Sequence, residues 1–291
     1  MKPLTMPIRT AIFVDGANFR ANLRDFSFKP QKAPENMRYR LEERHFDWES
    51  FFRGVLEKFE KTTGWEHRLI RVHWYNAASI SPWAFSKQQE FQLARRVVNQ
   101  YPDIEGLTPK KVIDLAHKWY TGERNYFERL REQVFEDIQR RTDFLEFRYV
   151  GQYQVHPLSA HRIVQECDGT IIYRGVQVGE KGVDTGIAVD MIAKMSNYDA
   201  AILVSGDADF LPVVGYPKDH LKYIYQFSVA RGVPPSVQYL SPYLRGKVDC
   251  FASFDEVELL GNYLDRASGI PTPILSSIDA RIADLKSKVS P

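Results

Sequence analysis

The chain has 291 residues, 44% hydrophobic and 26% charged, a balance that fits a globular protein long enough to bury a large core. Its 39 Lys plus Arg nearly cancel 37 Asp plus Glu, so a surface for a polyanion has to be local and not a property of the whole molecule. Two cysteines, Cys167 and Cys250, exclude a disulfide framework and a zinc set; no apolar stretch approaches the ~20 residues of a membrane span, the opening MKPLTMPIRT lacks the apolar segment of an export signal, and a cytoplasmic protein is expected.

Strand-like and helix-like segments alternate, which predicts an α/β fold. Residues 10–14 read as a buried strand, 18–25 as a short helix, and the polar, Pro-containing stretch 28–43 as a loop at the functional edge. A helix follows from Asp47, an N-cap residue, through Phe51, Phe52, Val55, Leu56 and Phe59, and residues 68–75 form the second strand. Residues 77–143 exceed an ordinary crossover and carry helical patterns at 87–100, 109–119 and 126–141, a helical insertion. The third strand is 144–149, and 152–178 alternates around Asp168-Gly169 as a hairpin or bulged excursion. An apolar-periodic helix through Ile187, Met191, Ile192 and Met195 then precedes a strand at 200–204, a short helix from Phe210 and a fifth strand within 221–229. Ser241 is placed to cap a helix that has Pro242 at its first position. One domain over 1–265, followed by a linker and a loosely docked C-terminal helix or tail over 266–291, is the expected organisation.

Three separated motifs carry the acids and amides: IFVDGANF at 12–19, EKGVDTGIAVD at 180–190 and LVSGDADF at 203–210. The first and third follow short apolar runs and end in Asp, as buried parallel strands do when they deliver carboxylates to their C-terminal edge, so Asp15 and Asp207 share one edge. The helix of the middle motif begins at that same edge. Carboxylates gathered in one crevice repel one another, and a divalent cation with oxygen ligands supplies the missing counter-charge.

Each residue also has a plainer reading. Gly16 lets the backbone turn off the strand, and Asp15 and Asn18 either only build that turn or hold a metal or its water. If residues 205–209 stay extended, Ser205, Asp207 and Asp209 share one face, while Asp209 alone reads as a helix N-cap. Asp184 and Asp190 are six helical positions apart, roughly 240° of rotation and about 9 Å of rise, so both cannot meet one ion. The plain role of Asp184 is capping, that of Asp190 an ion pair with Lys194, and that of Lys181 a solvated loop charge.

Taken together, the motifs resemble the NYN domain, the LabA-like or DUF88 group of the PIN-like nuclease superfamily. The resemblance rests on Asp15-Gly16-Ala17-Asn18, Lys181-Gly182-Val183-Asp184 with Asp190, and Ser205 to Phe210, with further support from residues 241–249 and 251–255. It covers roughly 10–76 and 144–256. It implies a Rossmann-like three-layer sandwich with a central, mainly parallel sheet, and a nuclease, in the first place an endoribonuclease, that uses Mg²⁺ or Mn²⁺. Asp15, Asp190, Asp207 and Asp209 are the implied metal ligands, with Asp184 as a further catalytic carboxylate. Asn18, Ser205 and Lys181 are the implied contacts to water or phosphate. RNA is the implied partner, single-stranded DNA the alternative. The insertion at 77–143 either clamps RNA, forms a homodimer or docks another protein. The competing readings are a catalytically weak RNA-binding module and a metal hydrolase of DNA or small phosphoesters.

Overall fold

The computed structural model describes residues 6–29, 38–236 and 242–289. Ser241 and residues 30–37 of the expected edge loop lie outside them. In chain order the elements are β1 (Ile8–Asp15), α1 (Gly16–Arg24), β2 (Ser27–Phe28), β3 (Tyr39–Arg40), α2 (Trp48–Thr63), β4 (His67–Ile80), α3 (Lys87–Gln100), α4 (Pro109–Arg129), α5 (Glu136–Arg141), β5 (Leu145–Gln165) and β6 (Ile171–Lys181). There follow α6 (Val183–Ala193), β7 (Ala200–Val204), α7 (Leu211–Asp219), β8 (Tyr223–Val229), α8 (Pro242–Arg245), β9 (Cys250–Phe254), α9 (Glu256–Asn262) and α10 (Thr272–Val289). The strands are hydrogen-bonded in the order β6-β5-β4-β1-β7-β8-β9, the mixed, mainly parallel sheet of a PIN-like α/β sandwich.

Two compact units divide the chain. The first comprises residues 1–76, 134–148 and 184–291. Its centre is β1, parallel to β4 on one side and to β7 on the other, with β8 and β9 continuing parallel beyond β7. The residues that make these strands are apolar on both faces, as strands covered on both sides must be: Ile12, Phe13 and Val14 and all five residues of β7 are buried. Trp74 of β4 meets Phe19 of α1 and Trp48 of α2 edge-on, at 5.5 and 4.7 Å between ring centres, so aromatic packing fixes both helices to the sheet. Because the chain passes from β1 to β4 on one side and reaches β7 on the other, the C-terminal ends of β1 and β7 flank a topological switch point, where ligands of α/β sheets bind.

The C-terminal helix, expected to dock loosely, is built into the first unit. Helix α10 buries Ile274, Ile278, Ile282 and Leu285, and Arg281 forks onto the fully buried Glu256 with hydrogen bonds of 2.9 and 3.1 Å.

The second unit comprises residues 77–133 and 149–183, and has its own core in which Ala94, Val97, Val112 and Ala116 of α3 and α4 meet Leu158, Ile163, Ile171 and Tyr173 of the β5–β6 hairpin. The expected boundaries differ here in three ways. Helix α4 runs unbroken past residue 119 to Arg129 and passes through a π-helical segment, Leu130–Phe135, into α5. Strand β5 extends for 21 residues instead of ending at 149. The expected excursion at 152–178 is the β5–β6 hairpin, and it folds with the helices of the insertion. Among the described residues no helix is long and apolar enough to cross a membrane.

One glycine sets the geometry of the first motif, for a reason other than the expected turn. Gly16 is the first helical residue of α1, and a Cβ there would sit 2.4 Å from the Tyr75 carbonyl oxygen and 2.5 Å from Asn76 Oδ1. Backbone of β4 cannot yield to it. Gly16→Ala should therefore cost about 2–3 kcal/mol of unfolding free energy in a urea titration; an unchanged midpoint would show that the approach of β4 is not tight.

Candidate active site

Asp15 ends β1 and is only 4% exposed. Its side chain is fixed at both oxygens. Oδ1 accepts from the Asn18 backbone N–H at 3.0 Å, capping α1, and Oδ2 accepts from Ser205 Oγ at 3.0 Å. Ser205 directly follows β7, and its own carbonyl is held by Gln226 Nε2 of β8 at 3.0 Å. Asn18 does not cap the helix; its Oδ1 accepts from the Gly206 N–H at 3.0 Å. Two side-chain bonds, Ser205 to Asp15 and Gly206 to Asn18, thus lock the first and third motifs together across 190 and 188 residues of sequence.

The third motif does not stay extended. Asp207 caps a 3-10 turn, Ala208–Phe210, by accepting from the Asp209 N–H at 2.9 Å, and its own N–H donates to Ser205 Oγ at 3.1 Å. The capping role expected of Asp209 belongs to Asp207, and the Asp209 side chain stays exposed. Asp184 stands in the first turn of α6, where the helix dipole favours a carboxylate.

Electrostatics bring these four acids into one group. Burial, then the charges of Asp184 and Asp207, push the Asp15 carboxyl up to about 6 despite the hydrogen bonds from Asn18 and Ser205. Asp184 is raised as well, by desolvation first and then by Asp207 and Asp209. Among the described residues none of the four makes an ion pair with Lys, Arg or His. Nor, among the described residues, do three His, Cys, Asp or Glu side chains stand together in a ready metal-ligand arrangement. Repulsion acts on Asp15 from Asp184 and Asp207, and on Asp184 from Asp207 and Asp209.

Asp190 is placed differently. Its Oδ1 pairs with Lys194 Nζ at 2.7 Å, its Oδ2 accepts from Tyr75 Oη at 2.7 Å, and Arg148 Nε lies 3.9 Å away. Burial alone raises its carboxyl, but these bonds and charges outweigh that and hold it below the ordinary carboxylate value. The ion pair with Lys194 weighed from sequence is what the structure contains, and Asp184, not Asp190, interacts with Asp15. Lys181 is the last residue of β6 and belongs to the second unit.

Sequence reasoning passed over a buried support beneath α1. Arg20 Nε donates to Glu43 Oε1 at 2.6 Å and Nη2 to Asn76 Oδ1 at 2.6 Å, and Glu43 and Asn76 are each only 3% exposed. Asn76 follows Tyr75, the residue in register with Asp15. The only sequence signal was the position of Arg20 directly after DGANF.

Residues 118–242 match the family model of the NYN domain. That segment resembles an NYN domain. That span includes Lys181, Asp184, Asp190, Ser205, Asp207 and Asp209, and the hydrogen bonds to Ser205 and Gly206 attach Asp15 and Asn18 to it from outside the match. A solved protein of unknown function from Vibrio parahaemolyticus is similar at 18% identity, over 86% of this chain and 94% of that chain, with a TM-score of 0.37. No curated protein matches the chain.

The raised Asp15 carboxyl has a consequence for stability. An acid whose folded pKa lies above its unfolded value adds stability that is complete below the unfolded value of 3.8 and is lost as pH rises through about 6. At about 1.4 kcal/mol per pKa unit, metal-free protein should lose on the order of 2–3 kcal/mol from this group between pH 4 and pH 7. Thermal melts in EDTA from pH 4 to 8 should show Asp15→Asn about 5 °C more stable than the native chain at pH 7.5, with the gap about halved at pH 5 and nearly closed at pH 4; parallel profiles would remove the effect.

Proposed function

We propose that this protein is a divalent-metal-dependent endoribonuclease whose site is the group Asp15, Asp184, Asp207 and Asp209. The observation that carries this reading is a buried, hydrogen-bonded aspartate at a switch point on which the charges of Asp184 and Asp207 act, inside a nuclease-type fold. Four hard oxygen donors without a counter-charge fit Mg²⁺ or Mn²⁺ in charge and chemistry. A bound ion of this kind lowers the pKa of water and balances charge on phosphoryl oxygens.

The chain's own residues prepare the site. Ser205 and the Asn18 N–H fix the Asp15 carboxylate, so it has no rotamer freedom to lose. Asn18 holds Gly206 and so sets the path of the backbone that delivers Asp207 and Asp209. In this reading Ser205 and Asn18 position the carboxylates, a change from the water and phosphate contacts expected of them. Asp190, tied to Tyr75 and Lys194, anchors α6 against β4 and thereby orients Asp184. Burial and Asp190 push the Tyr75 phenol far up, so it stays a donor at any working pH. RNA as substrate, single-stranded DNA as the alternative, a cytoplasmic location, the phosphate contact of Lys181 and a homodimer or protein partner through residues 77–143 belong to the same proposal.

The test is cleavage of mixed RNA and of single-stranded DNA by purified protein in EDTA, Mg²⁺ and Mn²⁺. Metal-dependent RNA cutting that falls at least ~100-fold in Asp207→Asn and Asp184→Asn, with thermal stability retained, is expected. Asp190→Asn should instead lose about 1 kcal/mol of stability and keep part of its activity. RNA binding without cutting in any metal would favour the binding-module reading, and Asp190→Asn as inactive as Asp207→Asn at full stability would return Asp190 to the ligand set.

A further inference from the structure

We infer that the second unit carries a nucleobase-binding cleft between α4 and the β5–β6 hairpin, which holds a base of the substrate strand. The inference deepens the nuclease reading, and rests on it for the origin of the base.

The cleft has a volume of about 530 Å³, within the range of small-molecule sites, and is lined by Trp119 and Glu123 of α4 and by His161, Arg174, Gly175 and Gln177 of the hairpin. Three features show that it is built and not left over. First, a Cβ on Gly175 would lie 2.5, 2.7 and 2.9 Å from three atoms of the six-membered ring of Trp119. Only glycine lets the indole lie against the strand there. Second, the ladder of β5 with β6 breaks on both sides of Ala160, the residue opposite Gly175: the register shifts between His156 and Ala160 and again between Ala160 and Arg162. His161 falls out of the ladder, and bulges of this kind re-aim a side chain at the expense of pairing. Third, Gln177 Nε2 donates to Glu123 Oε2 at 2.9 Å, which orients an amide and a carboxylate side by side at the cleft. Burial raises the Glu123 carboxyl although the Gln177 hydrogen bond and Arg174 work against it, so water is already partly excluded there.

The chemistry of this lining selects its ligand. A half-buried indole offers a flat apolar surface for a ring. The Glu123 carboxylate and the Gln177 amide offer acceptors to the N–H groups on the edge of that ring. Arg174 and His161 supply donors for an oxyanion; the guanidinium fork suits phosphate. A planar heterocycle with edge donors, attached to phosphate, is a nucleotide, and in a nuclease the strand itself brings it.

The experiment measures binding of a single-stranded 12-mer RNA to the full chain in EDTA, by fluorescence anisotropy, for the native protein, Trp119→Phe, Gln177→Ala and Arg174→Ala. The last two change exposed side chains and leave the core alone, which guards against a folding failure at Trp119. A Kd about tenfold weaker in Trp119→Phe or Gln177→Ala, absent when an abasic 12-mer is used, is expected. Arg174→Ala should weaken both oligomers and steepen no base preference. Unchanged Kd values in all three folded variants, or no binding of any probe by the native chain, would overturn the cleft. Binding of AMP that the 12-mer does not displace would overturn the strand as the source of the base. Cleavage of the same 12-mer in Mn²⁺ separates the two readings: binding lost in the cleft variants while the native chain never cuts would sink the nuclease and keep the cleft, and cutting with unaltered KM in the variants would sink the cleft and keep the nuclease.

Discussion

The carboxylate of Asp15 is held in place before any ligand arrives, and the first unit is arranged around that fact. Burying an ionised carboxylate costs several kcal/mol unless hydrogen bonds or a counter-charge offset it. Here two hydrogen bonds, from the Asn18 N–H and Ser205 Oγ, offset part of the cost, and no cation completes the job among the described residues. The same two residues tie β1 to the segment after β7, so the local remedy for one buried charge is also the join between the two motifs. Gly16 makes the arrangement possible, since any side chain there would push α1 off the Tyr75 carbonyl.

The rest of the crevice sharpens the imbalance. Asp184 and Asp207 act on Asp15 from neighbouring elements, and Asp207 and Asp209 act on Asp184. On the same helix α6, Asp190 meets Lys194 and Tyr75 and is held below the ordinary carboxylate value. One helix therefore presents one satisfied and one unsatisfied aspartate, six residues apart. The satisfied one acts as a structural anchor, and the unsatisfied one faces the group that lacks a counter-charge. In the proposed reading, that division separates a residue that positions from one that would hold metal.

Much of this was legible in the sequence, and the parts that were not share a cause. The strand at 200–204 and the helix at 87–100 coincide with β7 and α3, because a continuous apolar run and helical periodicity are local signals. Asp15, Asp184, Asp207 and Asp209 were visible as acids at element ends. Which of Asp184 and Asp190 faces Asp15 was not visible, because helix geometry separates them by about 240° without saying which direction holds Tyr75. The role of Gly16 depends on the register of β1 with β4, and the exchange of capping from Asp209 to Asp207 depends on the bond from Asp207 N to Ser205. The second unit was read as a helical insertion and a separate excursion. Their union rests on contacts such as Trp119 against Gly175, which no periodicity records.

The most direct measurement is calorimetric titration of Mn²⁺ into the metal-free protein at pH 7.5, beside Asp15→Asn, Asp207→Asn and Asp190→Asn. Saturable binding by the native chain, weakened at least about tenfold in the first two variants and kept in the third, is the expected result. Absence of saturable binding by the native chain, or equal affinity in native protein and Asp207→Asn, would contradict the view that this carboxylate group is completed by a divalent cation.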